Sequence, residues 1–134
     1  MGMRLEGTIL RGRAFEPVEG RVVVEDGEIT AIEEANVASD AIVCPAFVNA
    51  HTHVGDSIAK EAGEGLSLAE LVAPPDGLKH RLLEQADRED LIEAMARTVS
   101  YMAGSGTGAF VDFREGGVAG VDAIESVLSD SNLA

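Results

Sequence analysis

The residues best suited to chemistry in this chain are His51 and His53, which close the run Ala41-Ile-Val-Cys-Pro-Ala-Phe-Val-Asn-Ala-His-Thr-His53. Successive side chains of a β-strand leave on opposite faces, so the two imidazoles project together and Thr52 projects away. Two neutral imidazoles side by side make half of a divalent-metal site of the zinc type. At the C-terminal end of a barrel strand, such a pair would stand where catalytic groups stand.

The elements that must position this pair can be read from patterning. Residues 3–10 alternate loosely, as a strand does. Arg21-Val-Val-Val-Glu25 is β-branched and runs into Asp26-Gly27, a strong hairpin signal, and Glu28-Ile-Thr-Ala-Ile-Glu33 is the expected return strand. These segments predict a small antiparallel sheet over residues 1–42, with little core of its own. A strand carrying Val43 and Val48 then passes through Pro45 into the histidines, and Gly55–Gly65 reads as a loop. Ser67–Val72 predicts one or two helical turns, and Pro74-Pro75-Asp76-Gly77 a break.

Asp87 is placed as an N-cap, followed by Leu91, Ile92, Met95, Val99 and Met102 at helical spacing, and Gly104-Ser-Gly106 stops that helix. The methionines are expected to be core. Gly108–Phe113 reads as a buried strand of the parallel kind, and Val118–Leu128 as a second helix. From Ala41 the order is strand, loop, helix, strand, helix, which implies parallel strands joined by a crossover helix.

Composition narrows the partners. The 134 residues carry 24 Asp+Glu against 10 Lys+Arg, a net charge of −14, with 46% hydrophobic and 4% aromatic residues. That balance supports a folded core and argues against nucleic acid or an anionic membrane as partner. The acidity is spread along the chain, as on the solvated surfaces that high-salt cytoplasms favour, or as in an ordinary acidic mesophile protein. The single cysteine, Cys44, forbids an internal disulfide and is expected to be a buried small hydrophobe in a reduced, cytoplasmic protein. The first residues lack the apolar core of a signal peptide, and no segment approaches the roughly 20 apolar residues of a membrane span.

The segment Cys44-Pro-Ala-Phe-Val-Asn-Ala-His-Thr-His53, placed after a small β-sheet, resembles the opening of the metal-dependent amidohydrolase superfamily, which contains cytosine deaminases, dihydroorotases and imidazolonepropionases. That family shows Pro-Gly-Phe-Val-Asn-x-His-x-His at entry to the first strand of a (β/α)8 barrel; here Ala46 replaces the glycine. Ala103–Gly117 resembles the family's helix-to-second-strand region.

The resemblance implies an α/β fold: a small antiparallel sheet (residues 1–42), then the first βαβα units of a TIM-type barrel (43–134), truncated because a whole barrel takes about 250 residues. It implies a divalent metal held by His51 and His53, zinc first, with iron or manganese as alternatives. The implied reaction is hydrolysis or deamination at the C–N bond of a small molecule. Further ligands and the catalytic acid/base would lie beyond residue 134, so the catalytic residues are unassigned and the chain alone is expected to be inactive.

Arg114 and Glu115 fall where the second barrel strand would meet the active-site face, either gripping a substrate carboxylate or orienting a ligand, or else forming an ordinary surface ion pair. Asn49 holds a ligand, lines the pocket or caps a strand end, Asp56 is expected to be a solvated loop carboxylate, and His80 a surface residue. Asp112 faces the barrel or a helix. The alternative to an enzyme is a truncated binding module that buries its open strand edges by forming a homo-oligomer.

Overall fold

The structure, a computed structural model, describes residues 2–129, 131 and 133. The chain divides into two compact units, Met1–Pro45 and Ala46–Ala134.

The first unit is a four-stranded sheet in the order β3-β2-β1-β4, built from β1 (Gly2–Arg11), β2 (Glu16–Glu25), β3 (Glu28–Glu34) and β4 (Ile42–Val43). Strands β1 and β2 pair antiparallel over their whole length, and β2 meets β3 through the expected two-residue turn, with Glu25 opposite Glu28. Asp26 and Gly27 both have positive φ, 49° and 86°, the requirement of a type I′ hairpin whose twist matches its strands. Ile9 and Val22 are buried, while Met3, Ile29 and Ile42 lie largely exposed. Two buried aliphatics are a thin core, in line with the expectation for so short a sheet.

Two expectations about this stretch are corrected. The strand drawn through Pro45 is two strands: β4 ends at Val43, and β5 begins at Phe47. Strand β4 pairs in parallel with β1, through Thr8 and Ile9, whereas β5 pairs with β6. Cys44-Pro45-Ala46 belongs to neither ladder; proline has no N–H to donate, so the run breaks there and its halves join different sheets. Cys44 is exposed, not the buried hydrophobe expected.

In the second unit β5 (Phe47–Thr52) and β6 (Thr107–Asp112) run parallel. Between them come a 3₁₀ turn (Val54–Ala59), α1 (Leu68–Val72), α2 (Leu78–Gln85) and α3 (Arg88–Gly104), and α4 (Gly117–Leu128) follows β6. The loop expected at Gly55–Gly65 thus opens with a helical turn, and α2 fills what reads as a broken region.

Asp87 takes the N-cap place of α3 in extended conformation without a side-chain cap bond, and Glu89 and Asp90 favour the positive end of the helix dipole. Met95, Val99 and Met102 of α3 join Val54, Ala123, Ile124 and Val127 in one buried cluster, against which Phe110 of β6 packs. Burial of side chains such as Met95 and Val99, each 2% exposed, stabilises by about 1.5–3 kcal/mol apiece. Since strand neighbours alternate, Val111 and Phe113 face away from that core, and both are exposed. Among the described residues no helix is long and apolar enough to cross a membrane.

Candidate metal centre

Parallel pairing sets the end of β5 beside the end of β6, with Thr52 next to Asp112. The Asp112 carboxylate fastens the two. Its Oδ1 accepts from Thr52 Oγ1 at 2.9 Å and from the backbone N–H of Val54 at 2.7 Å. Phe113 N–H donates to the Thr52 carbonyl at 2.8 Å. The backbone on either side of His53 is therefore fixed, and Asp112 faces the helical layer, settling an orientation that strand parity leaves open.

On this base the two imidazoles converge. His51 Nε2 and His53 Nε2 lie 3.3 Å apart. A four-coordinate zinc with Zn–N bonds of about 2.0–2.1 Å has N···N edges of about 3.3–3.4 Å, so the pair is spaced as two corners of such a site. The Phe113 ring stands beside both, its centre 4.5 Å from that of His51 and 5.6 Å from that of His53. Phe113 is 51% exposed, so it gives the pair an apolar neighbour on one side without enclosing it. Among the described residues no third His, Cys, Asp or Glu side chain joins them.

Behind His53 lies a charged cluster. Glu115 Oε1 is 3.7 Å from His53 Nδ1 and also contacts Lys79 Nζ, which is 3.0 Å from Asp56 Oδ2. The Lys79 side chain is only 11% exposed. Burial alone would lower its pKa, but its hydrogen bonds to Glu115 and Asp56 outweigh that and hold the ammonium above its ordinary value. Burial works the other way on Glu115, and there the Lys79 hydrogen bond prevails and holds the carboxyl below its ordinary value.

The sequence-predicted residues separate. Glu115 reaches the histidine pair. Arg114, 11% exposed, lies on the helical side: Nη1 is 2.9 Å from Met95 Sδ, and Nε is 3.6 Å from Asp112 Oδ2. Its guanidinium crosses Gly55, where a Cβ would fall 1.6 Å from Nη2. Both residues also border a cavity of about 260 Å³ with Leu83, Leu91 and Ala119.

Asn49 accepts from the His51 backbone N–H at 3.4 Å, the strand-end role. Asp56 is not a solvated loop carboxylate but a partner of Lys79, with Oδ1 sealed from solvent. His80 is partly exposed, its Nε2 3.1 Å from the Val72 carbonyl. Lys79 is the residue that sequence reading passes over. It lies 36 positions from Glu115, and only the placement of α2 brings it in.

The sequence profile of the amidohydrolase family matches residues 42–131, most of the chain and all of the centre just described. The chain belongs to the amidohydrolase family. It is 43% identical over 131 residues to a provisionally named aminohydrolase of Methanothermobacter thermautotrophicus, covering 92% of this chain and 34% of that protein. An uncharacterised protein of Methanocaldococcus jannaschii is 35% identical over 129 residues, with 92% and 34% covered. A provisionally named aminohydrolase of Archaeoglobus fulgidus is 39% identical over 109 residues, covering 81% of the chain and 32% of that protein. This amidohydrolase chain therefore spans about a third of the length of the curated relatives it matches. A solved amidohydrolase superposes on 96% of it with a TM-score of 0.55, covering 29% of that structure; at 13% identity this likeness shows the fold alone.

Proposed function

We propose that this chain supplies the first metal-binding strand of a metal-dependent amidohydrolase that hydrolyses or deaminates C–N bonds of a small molecule. One observation carries the reading: the 3.3 Å between His51 Nε2 and His53 Nε2, a spacing that matches the edge of a zinc tetrahedron. His51 and His53 would hold the ion, zinc before iron or manganese. When bound there, such an ion polarises a carbonyl-type group and acidifies water toward a pKa of about 7. The chain's own residues do the rest of what two strands allow. Asp112 fixes the backbone around His53, Phe113 lies against one side of the pair, and Glu115 faces the second ring nitrogen of His53.

Two imidazoles do not complete a catalytic site, which takes three protein ligands and an open position. The unit Ala46–Ala134 is read as the opening of a (β/α)8 barrel, with further strands supplying the remaining ligands and the catalytic acid/base. Apolar side chains exposed along β5 and β6, among them Phe47, Val48 and Val111, suit strands that further elements cover. The same surface supports a second reading, a non-catalytic module that self-associates through it.

The test compares the 134-residue chain with a protein extended to the relatives' length, measuring bound metal and ammonia release from amide, cyclic amide and aminopyrimidine substrates. The longer protein is expected to retain metal and turn over, and to lose both in His51→Ala and His53→Ala. The short chain is expected to be inactive. Turnover that survives either substitution, or metal removal, overturns the proposal. A short chain that forms a stable dimer and a longer one that binds no metal would favour the assembly module.

A further inference from the structure

The cluster behind His53 gives Lys79 and Asp56 a role that nothing in the family match assigns. The two Nε2 atoms, 3.3 Å apart, cannot both present a proton or both present a lone pair to each other without repulsion. In the metal-free neutral pair one ring must donate and the other accept, so the two histidines hold opposite tautomers. Their surroundings decide which. The His51 ring meets His53 and the apolar Phe113 ring. Among the described residues only His53 has a carboxylate facing its other nitrogen, Glu115 Oε1 at 3.7 Å from Nδ1. That distance is longer than a hydrogen bond, so the carboxylate acts as a fixed negative charge that favours the proton on Nδ1.

Such an influence requires Glu115 to stay in place. Lys79 of α2 binds the same Oε1, and Arg114 Nη2 stands 3.9 Å from Oε2. The Glu115 carbonyl lies against Gly120, where a Cβ would fall 1.9 Å away, so the backbone is seated on α4. Lys79 would neutralise Glu115 if it had no other partner. Asp56 shares it at 3.0 Å, so the three groups together keep one net negative charge beside the ring.

We propose that Lys79 and Asp56 are positioning residues that hold Glu115 against His53, so that His53 carries its proton on Nδ1 and turns a bare Nε2 toward the Nε2–H of His51. This rests on the metal-centre reading only for its purpose; the tautomers are a property of the metal-free protein.

The chain has three histidines, so a long-range ¹H–¹⁵N correlation spectrum of histidine-labelled, EDTA-treated protein at about pH 8, where imidazole is neutral, resolves the question. His80 is the internal control: its Nε2 faces the Val72 carbonyl, an acceptor only, so it reads as Nε2–H. The expected pattern is Nδ1–H for His53 and Nε2–H for His51 and His80. Lys79→Met and Glu115→Ala are expected to move His53 toward a mixture of tautomers, and Lys79→Arg, which keeps a cation on Glu115, to retain the parent pattern.

Zinc titration of the same variants, made in a protein extended to the relatives' length, is expected to show a loss of about 10- to 100-fold in affinity for Lys79→Met, the usual effect of removing support behind a metal-binding histidine. An Nε2–H His53 in the parent protein overturns the inference, whether or not the variants fold. So does a Lys79→Met protein that is less stable yet leaves the His53 tautomer unchanged. If the tautomers follow the expected pattern but the extended protein binds no zinc, the positioning role stands and the metal reading falls. Zinc binding with unmoved tautomers gives the reverse.

Discussion

The Asp112 carboxylate, at the end of β6, accepts the backbone N–H of Val54 at 2.7 Å, across 58 residues of sequence. Its side chain is only 9% exposed, so the bond is charge-assisted and shielded. Asp112→Ala strands Val54 N–H and removes the nearest carboxylate from the Arg114 guanidinium. The expected loss is about 3 kcal/mol in urea unfolding, within the range for hydrogen bonds to charged groups with a partner left unsatisfied. Asp112→Asn keeps an acceptor oxygen and should lose less. Equal stability of all three proteins would show that this junction is not what holds the strand ends together.

Gly55 offers a steric test of the same region. It is buried, and a methyl group there would overlap the Arg114 guanidinium. Gly55→Ala is expected to displace Arg114 from Met95 and to destabilise by about 1–3 kcal/mol, the usual range for overpacking. Combining Gly55→Ala with Arg114→Ala should recover part of that loss. Two penalties that simply add would place the guanidinium elsewhere.

Lys79 predicts an alkaline limb in the stability profile. Its pKa is raised in the folded state above the ordinary 10.5, so its contribution is complete below the unfolded value and disappears as pH rises through the folded one. Urea midpoints measured between about pH 9 and about pH 11.5 should fall for the parent protein and fall less for Lys79→Met. Parallel profiles would remove Lys79 from the account.

The start of α1 gives a local test. Ser67 and Glu70 form a reciprocal capping box: the Ser67 hydroxyl accepts from Glu70 N–H, and Glu70 Oε2 accepts from Ser67 N–H. Ser67→Ala is expected to cost about 1 kcal/mol of helix stability, read as faster amide exchange across Leu68–Val72. The Ser67 hydrogen bonds hold the Glu70 carboxyl below its ordinary value. Its share is therefore present above the unfolded pKa and lost as pH falls through the folded one, so protection of α1 should weaken in acid. Unchanged exchange in Ser67→Ala would mean that α1 is held by packing alone.

What the sequence disclosed, and what it hid, follows from the range of each interaction. The Asp26-Gly27 turn was legible because two adjacent residues must both take positive φ, and that demand is written in their types. The helix through Met95, Val99 and Met102 was legible because one buried stripe repeats at helical spacing. His51 and His53 were legible as a pair because strand alternation alone puts them together. The break at Cys44-Pro45-Ala46 was not, since apolar residues on both sides read as one strand until their partners, β1 and β6, are known. Lys79 was hidden for a related reason. Leu78, Leu82 and Leu83 carry a helical spacing that could have revealed α2, but nothing local says that the lysine among them meets two carboxylates from distant segments.

The parallel pairing of β5 with β6 also bears on the order in which the molecule assembles. The β2–β3 hairpin closes across two residues, while 60 residues separate Val48 from its partner Ala109. Closing so long a loop costs entropy before any contact repays it, and non-local pairings of this kind slow folding. During synthesis His51 and His53 leave the ribosome well before Phe113, Asp112 and Glu115 exist to wall, anchor and orient them. A nascent chain meeting free metal ions therefore carries two imidazoles on a strand not yet paired.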